Sequence, residues 1–358
     1  ELERESCKRR WYFVLRHGRV GRCQDYFLTM NTKNRKVYFN GKFVDERDAK
    51  VSIYDSSLMF GDMVFEMTRS FNGKQWKLRE HLERLYSGIK ILKIPIKMSI
   101  DEMESAVLET IKINENTFEK DDEHRVMIDV SRGLLSIYEN IEGIEAGPNI
   151  IIADFPLRWT VQGISHVFDS GINLHITSQR AIPSTFLDPK IKNRSRLFYL
   201  MANIEVSKIK GKDNWALLID QNGYVTEGTG CNFFIVKDNT LITPVAGDLL
   251  IGITRNTILE DLAPALGLKT VERNIEPFEV YNADEAFVAA TPFCILPATS
   301  LNSVVIGNGK PGYITMKLLE KWSEIVNLDI VKQIKNWDNT NTSHKEIKIS
   351  PYKFKDQK

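Results

Sequence analysis

The chain has 358 residues, of which 42% are hydrophobic and 27% are charged, and this composition is typical of a globular protein with a sizeable core. Its 48 basic and 47 acidic residues give a formal charge of +1, so no overall field favours nucleic acid or an anionic membrane as a partner. The length suits two domains.

The cysteines and the apolar runs argue against further classes of protein. The four cysteines are widely separated and lack the short paired spacing of a zinc site or a dense disulfide framework, which favours a reducing compartment. No apolar run approaches the roughly 20 residues needed to cross a bilayer, and the charged start lacks the apolar segment of a signal peptide. We therefore expect a cytoplasmic protein with no metal site and with neither nucleic acid nor membrane as a partner.

The first half of the chain is predicted to be rich in strands. Asn-Gly pairs at 40–41 and 72–73 stand between apolar residues, which is a strong hairpin signal. Apolar residues recur at helical spacing through residues 79–92, with Arg84 near the apolar seam. In chain order we expect strands at 37–39, 42–44 and 64–71, helices at 79–92 and 100–111, and strands at 125–132 and 150–153.

The second half mixes both kinds of element, with a third Asn-Gly turn at 222–223. Its predicted elements are a helix at 196–208, strands at 215–220, 224–226 and 231–236, a helix at 254–266, a strand at 286–290 and a helix at 313–326. Because strands and helices do not alternate regularly, a doubly wound parallel sheet is disfavoured and an α+β architecture is expected.

Four segments are expected along the chain. They are an N-terminal extension without catalytic residues (1–36), a small α/β domain (37–157), a large domain (165–327) and a C-terminal tail (328–358). Beyond Ile334 the tail is rich in Asn, Lys, Asp and Ser, so it is expected to lie loosely on the surface.

Lys192 and Glu227 are the first candidates for chemistry. A lysine that loses its proton can act as a nucleophile, and an acid placed by a glycine-rich turn is what an enzyme needs to hold pyridoxal phosphate. Gly228 and Gly230 beside the acid would let the backbone approach a ligand. A solvated surface lysine and a hairpin glutamate on the surface are the alternatives.

Several further motifs follow one another in an order that resembles the class IV, or fold-type IV, pyridoxal-phosphate-dependent aminotransferases, the family of branched-chain and D-amino-acid aminotransferases. The resemblance covers about residues 37–325. It implies a two-domain α+β fold with the cofactor at the domain interface, and a homodimer whose sites borrow a loop from the neighbouring subunit. The motifs that carry it are 40–41, 61–66, 80–85, 191–192, 223–228, 232–234, 252–255 and 283–287.

The resemblance also implies roles for single residues. Lys192 resembles the Schiff-base lysine, although Lys190 would share its face on an extended segment, and only the match of Ile191-Lys192 separates the two. Glu227 resembles the acid beneath the pyridine nitrogen. The helix start at 252–255, with Thr254 able to cap it, predicts an anion cradle.

The other phosphate residues implied by the family are Arg84 and Thr291, together with Ile253 and Thr254 of that helix start. An ordinary cap and an ordinary threonine at a strand end remain alternatives for the two threonines. Arg84 has a buried ion pair with Glu66 or Asp62 as its alternative.

The substrate pocket departs from the branched-chain pattern. Phe65 and Met67 are expected to shape it, and Met67 stands where the family usually has glycine. Arg69 and Arg125 match family arginines that would bind a carboxylate, or they are solvated strand arginines. Arg196 stands where a tyrosine is expected near the cofactor, so it would change the electronics or recruit an anionic group.

These residues predict a transaminase that moves an amino group between an amino acid or amine and a 2-keto acid, with branched-chain-like L-amino acids as donors. The residues that D-amino-acid aminotransferases use for the substrate carboxylate are missing near positions 137 and 139, which disfavours D-amino acids. A lyase resembling aminodeoxychorismate lyase, an (R)-amine transaminase, and a binding protein that kept the fold are the alternatives.

Overall fold

The computed structural model describes residues 34–339, so nearly all of the predicted N-terminal extension lies outside the described residues. Among the described residues the strands are β1 (Lys36–Phe39), β2 (Lys42–Asp45), β3 (Met63–Met67), β4 (Ser70–Phe71), β5 (Lys74–Gln75), β6 (His124–Ser131), β7 (Asn149–Pro156), β8 (Ile172–Ile176), β9 (Asn214–Ile219), β10 (Val225–Gly228), β11 (Asn232–Lys237), β12 (Thr240–Thr243), β13 (Lys269–Glu272), β14 (Glu285–Ala290), β15 (Cys294–Leu301) and β16 (Val304–Val305).

The helices of the same range are α1 (Ser56–Phe60), α2 (Leu78–Leu92), α3 (Ile100–Asn114), α4 (Arg158–Val161), α5 (Val167–Ser170), α6 (Leu197–Ser207), α7 (Ile253–Asn256), α8 (Ala263–Ala265), α9 (Pro277–Tyr281), α10 (Tyr313–Ile325) and α11 (Ile330–Asn339). A π-helical stretch, Thr257–Leu262, joins α7 to α8 without a break. No helix between residues 34 and 339 is both long enough and apolar enough to span a bilayer.

Two separate sheets organise these elements, and the α+β prediction is confirmed. The smaller sheet is antiparallel and has the order β2-β1-β7-β6-β3. The larger sheet is mixed, and β10 pairs with both β9 and β11. Strands β10, β9, β8, β15, β14 and β11 therefore close into a barrel, from which β12 and β13 continue.

Local turn chemistry accounts for the first two predicted Asn-Gly hairpins, whereas at 222–223 only Gly223 has a positive φ, of 89°. Asn40 and Gly41 have φ values of 49° and 86°, and Asn72 and Gly73 have values of 51° and 74°. Consecutive positive φ values are what a two-residue hairpin turn requires. The predicted strand 64–71 is interrupted after Met67, so the second hairpin consists of the short strands β4 and β5 alone.

Two helices cover one face of the smaller sheet. Leu82, Leu85 and Ile89 of α2 are buried against Val64 and the neighbouring strands, as their helical spacing predicts. Helix α3 begins with a capping box at its Ser99 N-cap, which satisfies N–H groups at the helix start. This packing leaves the opposite face of β3 and β6 free to contribute to a site.

The expectation of a loose tail was wrong for the part that the structure describes. Helix α11 buries Ile330, Ile334 and Trp337 in the main core, beside Trp322 of α10. These apolar residues recur at helical spacing, so an otherwise polar segment still presents one apolar stripe. Residues 340–358 of the predicted tail lie outside the described range.

Candidate active site

Lys192 is positioned by the edge of the smaller sheet. The Phe65 N–H donates a hydrogen bond to the Lys192 carbonyl at 2.9 Å, and the Arg194 N–H donates to the Met63 carbonyl at 3.1 Å. The lysine segment therefore lies alongside β3 as a further short extended segment. Gly61, at φ +70°, allows the close approach, because a Cβ there would lie 2.4 Å from the Ser195 Oγ.

Glu227 is contributed by the larger sheet, from β10. It is buried, and its carboxylate accepts hydrogen bonds from the Tyr199 hydroxyl at 2.5 Å, the Leu250 N–H at 3.2 Å and the Asn232 amide at 3.4 Å. Burial raises the pKa of Glu227, against the opposing effects of the Tyr199 hydrogen bond and the Arg196 charge. The acid is thus held firmly and kept away from bulk water.

One cavity of about 380 Å³ brings the two residues together. Its walls come from helix α2, the lysine segment, the start of α6, strands β10 and β11, the start of α7 and the end of β14. They include Arg84, Lys192, Arg196, Tyr199, Glu227, Asn232, Ile253, Thr254 and Thr291. All seven residues predicted to bind the cofactor therefore line a single cavity, although five separate parts of the chain supply them.

The Lys192 amine has the surroundings that its predicted chemistry requires. Among residues 34–339 it has no hydrogen bond or ion pair, and it lies 4.8 Å from the centre of the Phe65 ring. Burial lowers the pKa of Lys192 well below its ordinary value, and the charges of Arg196 and Arg84 lower it further. The neighbouring Lys190 instead pairs with Asp188 at 2.9 Å and does not line the cavity.

Arg84 forms a buried ion pair with Glu66, which was the alternative to a role in phosphate binding. It also lines the cavity. Its Nε and Nη2 donate to the two Glu66 carboxylate oxygens at 2.6 and 2.9 Å, and its Nη1 donates to the Ile251 carbonyl at 2.7 Å. Asp62 pairs with Arg132 instead. Since a guanidinium has five N–H donors, Arg84 keeps two for an anion in the cavity.

The helix start predicted as an anion cradle is present, but its cap is not Thr254. The N-cap is Gly252, and Thr254 lies in the first turn of α7. A Cβ at position 252 would lie 2.1 Å from the Asn232 Oδ1, so a larger residue would fit here only if the Asn232 side chain moved. The first N–H groups of the helix, at Ile253 and Thr254, border the cavity, and Thr291 follows directly after β14.

Gly228 and Gly230 differ in the roles that the structure gives them. A Cβ on Gly228 would lie 2.6 Å from the Cys231 Sγ, so this glycine is required by protein packing and not by approach to a ligand. Gly230 has open space around its Cα and lines the cavity, as predicted.

Sequence reasoning missed two groups that hold the site in place. The Tyr199 hydroxyl fixes Glu227, yet a tyrosine inside a largely apolar helix gives no signal that separates it from a core residue. His81 lies 2.8 Å from the Glu66 carboxylate that holds Arg84, and burial lowers the pKa of His81. A neutral imidazole is therefore expected there at neutral pH.

The two arginines predicted to bind substrate differ in their surroundings. Neither lines the cavity. Arg69 is buried, donates to the Pro292 carbonyl at 3.1 Å and stacks 3.8 Å above the Phe71 ring. Arg125 is only 9% exposed, but its Nε and Nη1 have no hydrogen-bond partner within residues 34–339. Protein groups already satisfy the Arg69 guanidinium, which argues against its predicted role in substrate binding.

Phe65 and Met67 lie on one face of β3, since alternate residues of a strand share a face. The Phe65 ring lies beside Lys192 and Arg196, and the Met67 sulfur lies 3.5 Å from the Arg125 Nη2. This face therefore connects the reactive lysine to the buried guanidinium of Arg125.

Comparisons with known proteins agree with this geometry. The family model described as amino-transferase class IV matches residues 63–301. A Methanocaldococcus jannaschii protein that carries a branched-chain-amino-acid aminotransferase name is 37% identical over 292 residues, which are 81% of this chain and 96% of that protein.

Solved structures show the same fold. The branched-chain amino acid aminotransferase of Escherichia coli superposes with a TM-score of 0.73 at 28% identity, over 82% of this chain and 95% of that one. The enzyme of Thermobaculum terrenum, solved in its PLP holo-form, gives a TM-score of 0.69 at 25% identity, over 86% and 97%. The resemblance found in the motifs is thereby confirmed, and the chain belongs to the class IV aminotransferases.

Proposed function

We propose that this aminotransferase uses pyridoxal 5′-phosphate bound through Lys192, and that it moves an amino group between a branched-chain-like L-amino acid and a 2-keto acid. The observation that carries the proposal is the single cavity in which Lys192 and Glu227 face the anion-binding groups Arg84, Thr254 and Thr291. When bound, the cofactor supplies a reactive carbonyl and a ring that accepts electrons.

The donor set fits the chemistry of that cofactor at both ends. Two N–H groups of Arg84, the free N–H groups at the start of α7 and the Thr291 hydroxyl suit a phosphate. Glu227 suits a protonated ring nitrogen, because a buried carboxylate stabilises a nearby positive charge strongly. Lys192 lines the same cavity and has no hydrogen bond or ion pair among the described residues.

Lys192 would carry out two tasks. Its uncharged amine would add to the cofactor carbonyl with loss of water. Once the amino substrate displaces it, the same amine would take the proton from the substrate α-carbon and deliver it to the cofactor's former carbonyl carbon. Both tasks need a lysine that has lost its proton, and burial among other cations favours that state. The Phe65 ring, 4.8 Å from the amine, gives it an apolar neighbour on one side.

Arg125 is proposed to bind a substrate carboxylate. A buried guanidinium with unsatisfied N–H groups carries a free energy cost that an anionic ligand would remove. Burial first, and then the charge of Arg69, lower the pKa of Arg125 to about 10, so it remains a cation at neutral pH. The Met67 sulfur, 3.5 Å from the Arg125 Nη2, would then lie beside the bound carboxylate.

Replacing Arg125 with glutamine should raise the KM of keto acids by about 10- to 100-fold, because a charge-assisted hydrogen bond to the carboxylate is lost. Steady-state kinetics with one amino donor and a series of keto acids would measure this effect. Arg132→Gln is the matched control, since Arg132 already pairs with Asp62 and donates to the Leu92 and Lys93 carbonyls. An unchanged KM in the Arg125 variant for every keto acid would refute the assignment.

A spectral half-reaction separates the proposed transaminase from a lyase of the same fold. The holoenzyme is mixed with one amino donor at a time, L-amino acids, D-amino acids and (R)-amines, without a keto acid. A transaminase converts its cofactor absorbance once and then stops until a keto acid is added. Continued turnover without an acceptor would favour the lyase and contradict the proposal.

A homodimer is the proposed assembly. Leu58 and Phe60 of α1 are each 66% exposed, and Leu197 at the start of α6 is 69% exposed. The Ser195 hydroxyl donates to the Phe60 carbonyl at 3.3 Å, so these apolar side chains belong to neighbouring segments beside the cavity. An exposed apolar patch of this kind commonly marks a protein interface.

Replacing Phe60 and Leu197 with aspartate should therefore convert the dimer to monomers and lower activity, since an unpaired charge buried at the interface opposes dimer formation. Light scattering after size-exclusion chromatography would report the mass. Phe278→Asp is the control, because Phe278 of α9 is 71% exposed and lies on another element. A wild-type protein that is already monomeric would overturn the proposed assembly.

The predicted domain boundaries and the cytoplasmic location remain proposals. The separate cores around the two sheets support a small domain at 37–157 and a large one at 165–327. The described cysteines Cys231 and Cys294 are both free and buried, which supports a reducing compartment.

A further inference from the structure

Three basic side chains lie around the ring of Phe65. The Lys192 amine is 4.8 Å from the ring centre, and the guanidinium carbons of Arg194 and Arg196 are 3.8 and 4.9 Å from it. Asp129 neutralises Arg194 through contacts of 2.7 and 2.9 Å. Arg196 has no carboxylate at ion-pair distance among residues 34–339. The Arg196 charge therefore lies beside the lysine amine without an ion pair among these residues, although it also acts on the buried Glu227 carboxylate.

Arg196 is held firmly in this position. Its Nε donates to the Asn193 carbonyl at 2.9 Å, and its guanidinium carbon lies 5.1 Å from the centre of the Tyr199 ring. It also lines a second cavity, on the side of residues 181–198, so it stands in the wall between the two cavities. A guanidinium held between two aromatic rings acts as a fixed charge.

We propose that Arg196 is a positioning residue for the transamination reaction, and that its fixed positive charge keeps the Lys192 amine free of its proton. The inference rests on the proposed role of Lys192. It assigns to Arg196 a task that a neutral residue at this position cannot perform.

The other charged groups that face Lys192 do not replace Arg196. Glu66 of β3 and Glu227 of β10 favour the protonated amine, and Arg84 of α2 opposes it. The Arg84 charge, however, is paired with Glu66 at 2.6 Å, and the nearby His81 is buried with a lowered pKa. Burial is the largest effect on the pKa of Lys192, and Arg196 is the largest of the charge effects.

The size of the effect follows from the geometry. The Lys192 amine and the Arg196 guanidinium both lie against the Phe65 ring and are therefore within about 10 Å of each other. At that separation, and with the effective dielectric constant typical of protein sites, one charge shifts the proton equilibrium of the other by about one pH unit. Because a positive neighbour disfavours the ammonium form, removing Arg196 must move the equilibrium toward higher pH.

The test is a pH titration of the holoenzyme's visible absorbance. Its midpoint reports the proton on the Lys192 nitrogen while that nitrogen is bonded to the cofactor, and the Arg196 charge disfavours a proton there for the same reason as on the free amine. Arg196→Gln and Arg196→Ala remove the charge, Arg196→Lys keeps it, and Lys190→Gln removes a nearby charge that is already paired. The midpoint should rise by about one pH unit in Arg196→Gln and Arg196→Ala. It should stay within a few tenths of a pH unit of the wild-type value in Arg196→Lys and Lys190→Gln. In the neutral variants the acidic limb of the pH profile of kcat/KM should shift toward higher pH by the same amount.

An unshifted midpoint in either neutral variant, or a lysine variant that shifts as far as the glutamine variant, would overturn the inference. Failure of the proposed function is distinguishable, because borohydride reduction would then place the cofactor on a residue other than Lys192 in the wild-type enzyme as well. If the glutamine variant does not fold, the alanine variant and the lysine variant still give the comparison.

Discussion

Replacing Lys192 with alanine is expected to lower kcat by at least about 10⁴-fold, because one amine is proposed both to bond the cofactor and to move the substrate proton. The fold should survive, since the lysine amine has no protein partner among the described residues. Steady-state transaminase assays measure the loss, and thermal unfolding checks the fold.

Lys190→Ala is the matched control for this prediction. Lys190 lies two positions away and pairs with Asp188 at 2.9 Å, so its loss should leave kcat within about twofold of the wild-type value. A strong loss in Lys190→Ala combined with normal turnover in Lys192→Ala would exchange the two assignments.

Replacing Glu227 with glutamine should lower kcat by about 10²-fold or more, since the substitution removes a buried negative charge that stabilises a protonated ring nitrogen. Glutamine keeps the size of the side chain and can still accept from the Leu250 N–H. The loss should therefore appear in kcat much more than in the thermal unfolding midpoint, and the two measurements together separate chemistry from folding.

Tyr199→Phe provides the comparison for Glu227. It removes only the hydroxyl that donates to the carboxylate at 2.5 Å, so a smaller loss of about tenfold is expected. Normal turnover in Glu227→Gln would mean that this acid holds the site together without taking part in the chemistry.

Much of this fold could be predicted, because many turns and helices are determined by residues that are close together in the sequence. Asn40-Gly41 and Asn72-Gly73 form hairpin turns because their own backbone preferences decide the conformation. The spacing of Leu82, Leu85 and Ile89 placed helix α2 correctly. The candidate site followed from the order of the motifs, and its predicted cofactor residues do line one cavity.

Features that depend on distant parts of the chain could not be predicted in the same way. Asn193 pairs with Val64, and no local pattern indicates a pairing across so many residues. Arg69 and Arg125 looked equivalent in the sequence, and only their packing shows that protein groups satisfy the first and leave the second unpaired. Helix α11 was not predicted, because the segment is polar overall and its few apolar residues form a single stripe.

The central claim is that Lys192 carries the cofactor, and reduction of the holoenzyme with borohydride tests it most directly. Reduction fixes the cofactor to its lysine, and peptide mass spectrometry then identifies the residue. We expect the added mass on the peptide that contains Lys192, and its absence from the Lys192→Ala protein. Added mass on Lys190 or on another lysine, or a Lys192→Ala protein that still binds the cofactor covalently, would contradict the assignment.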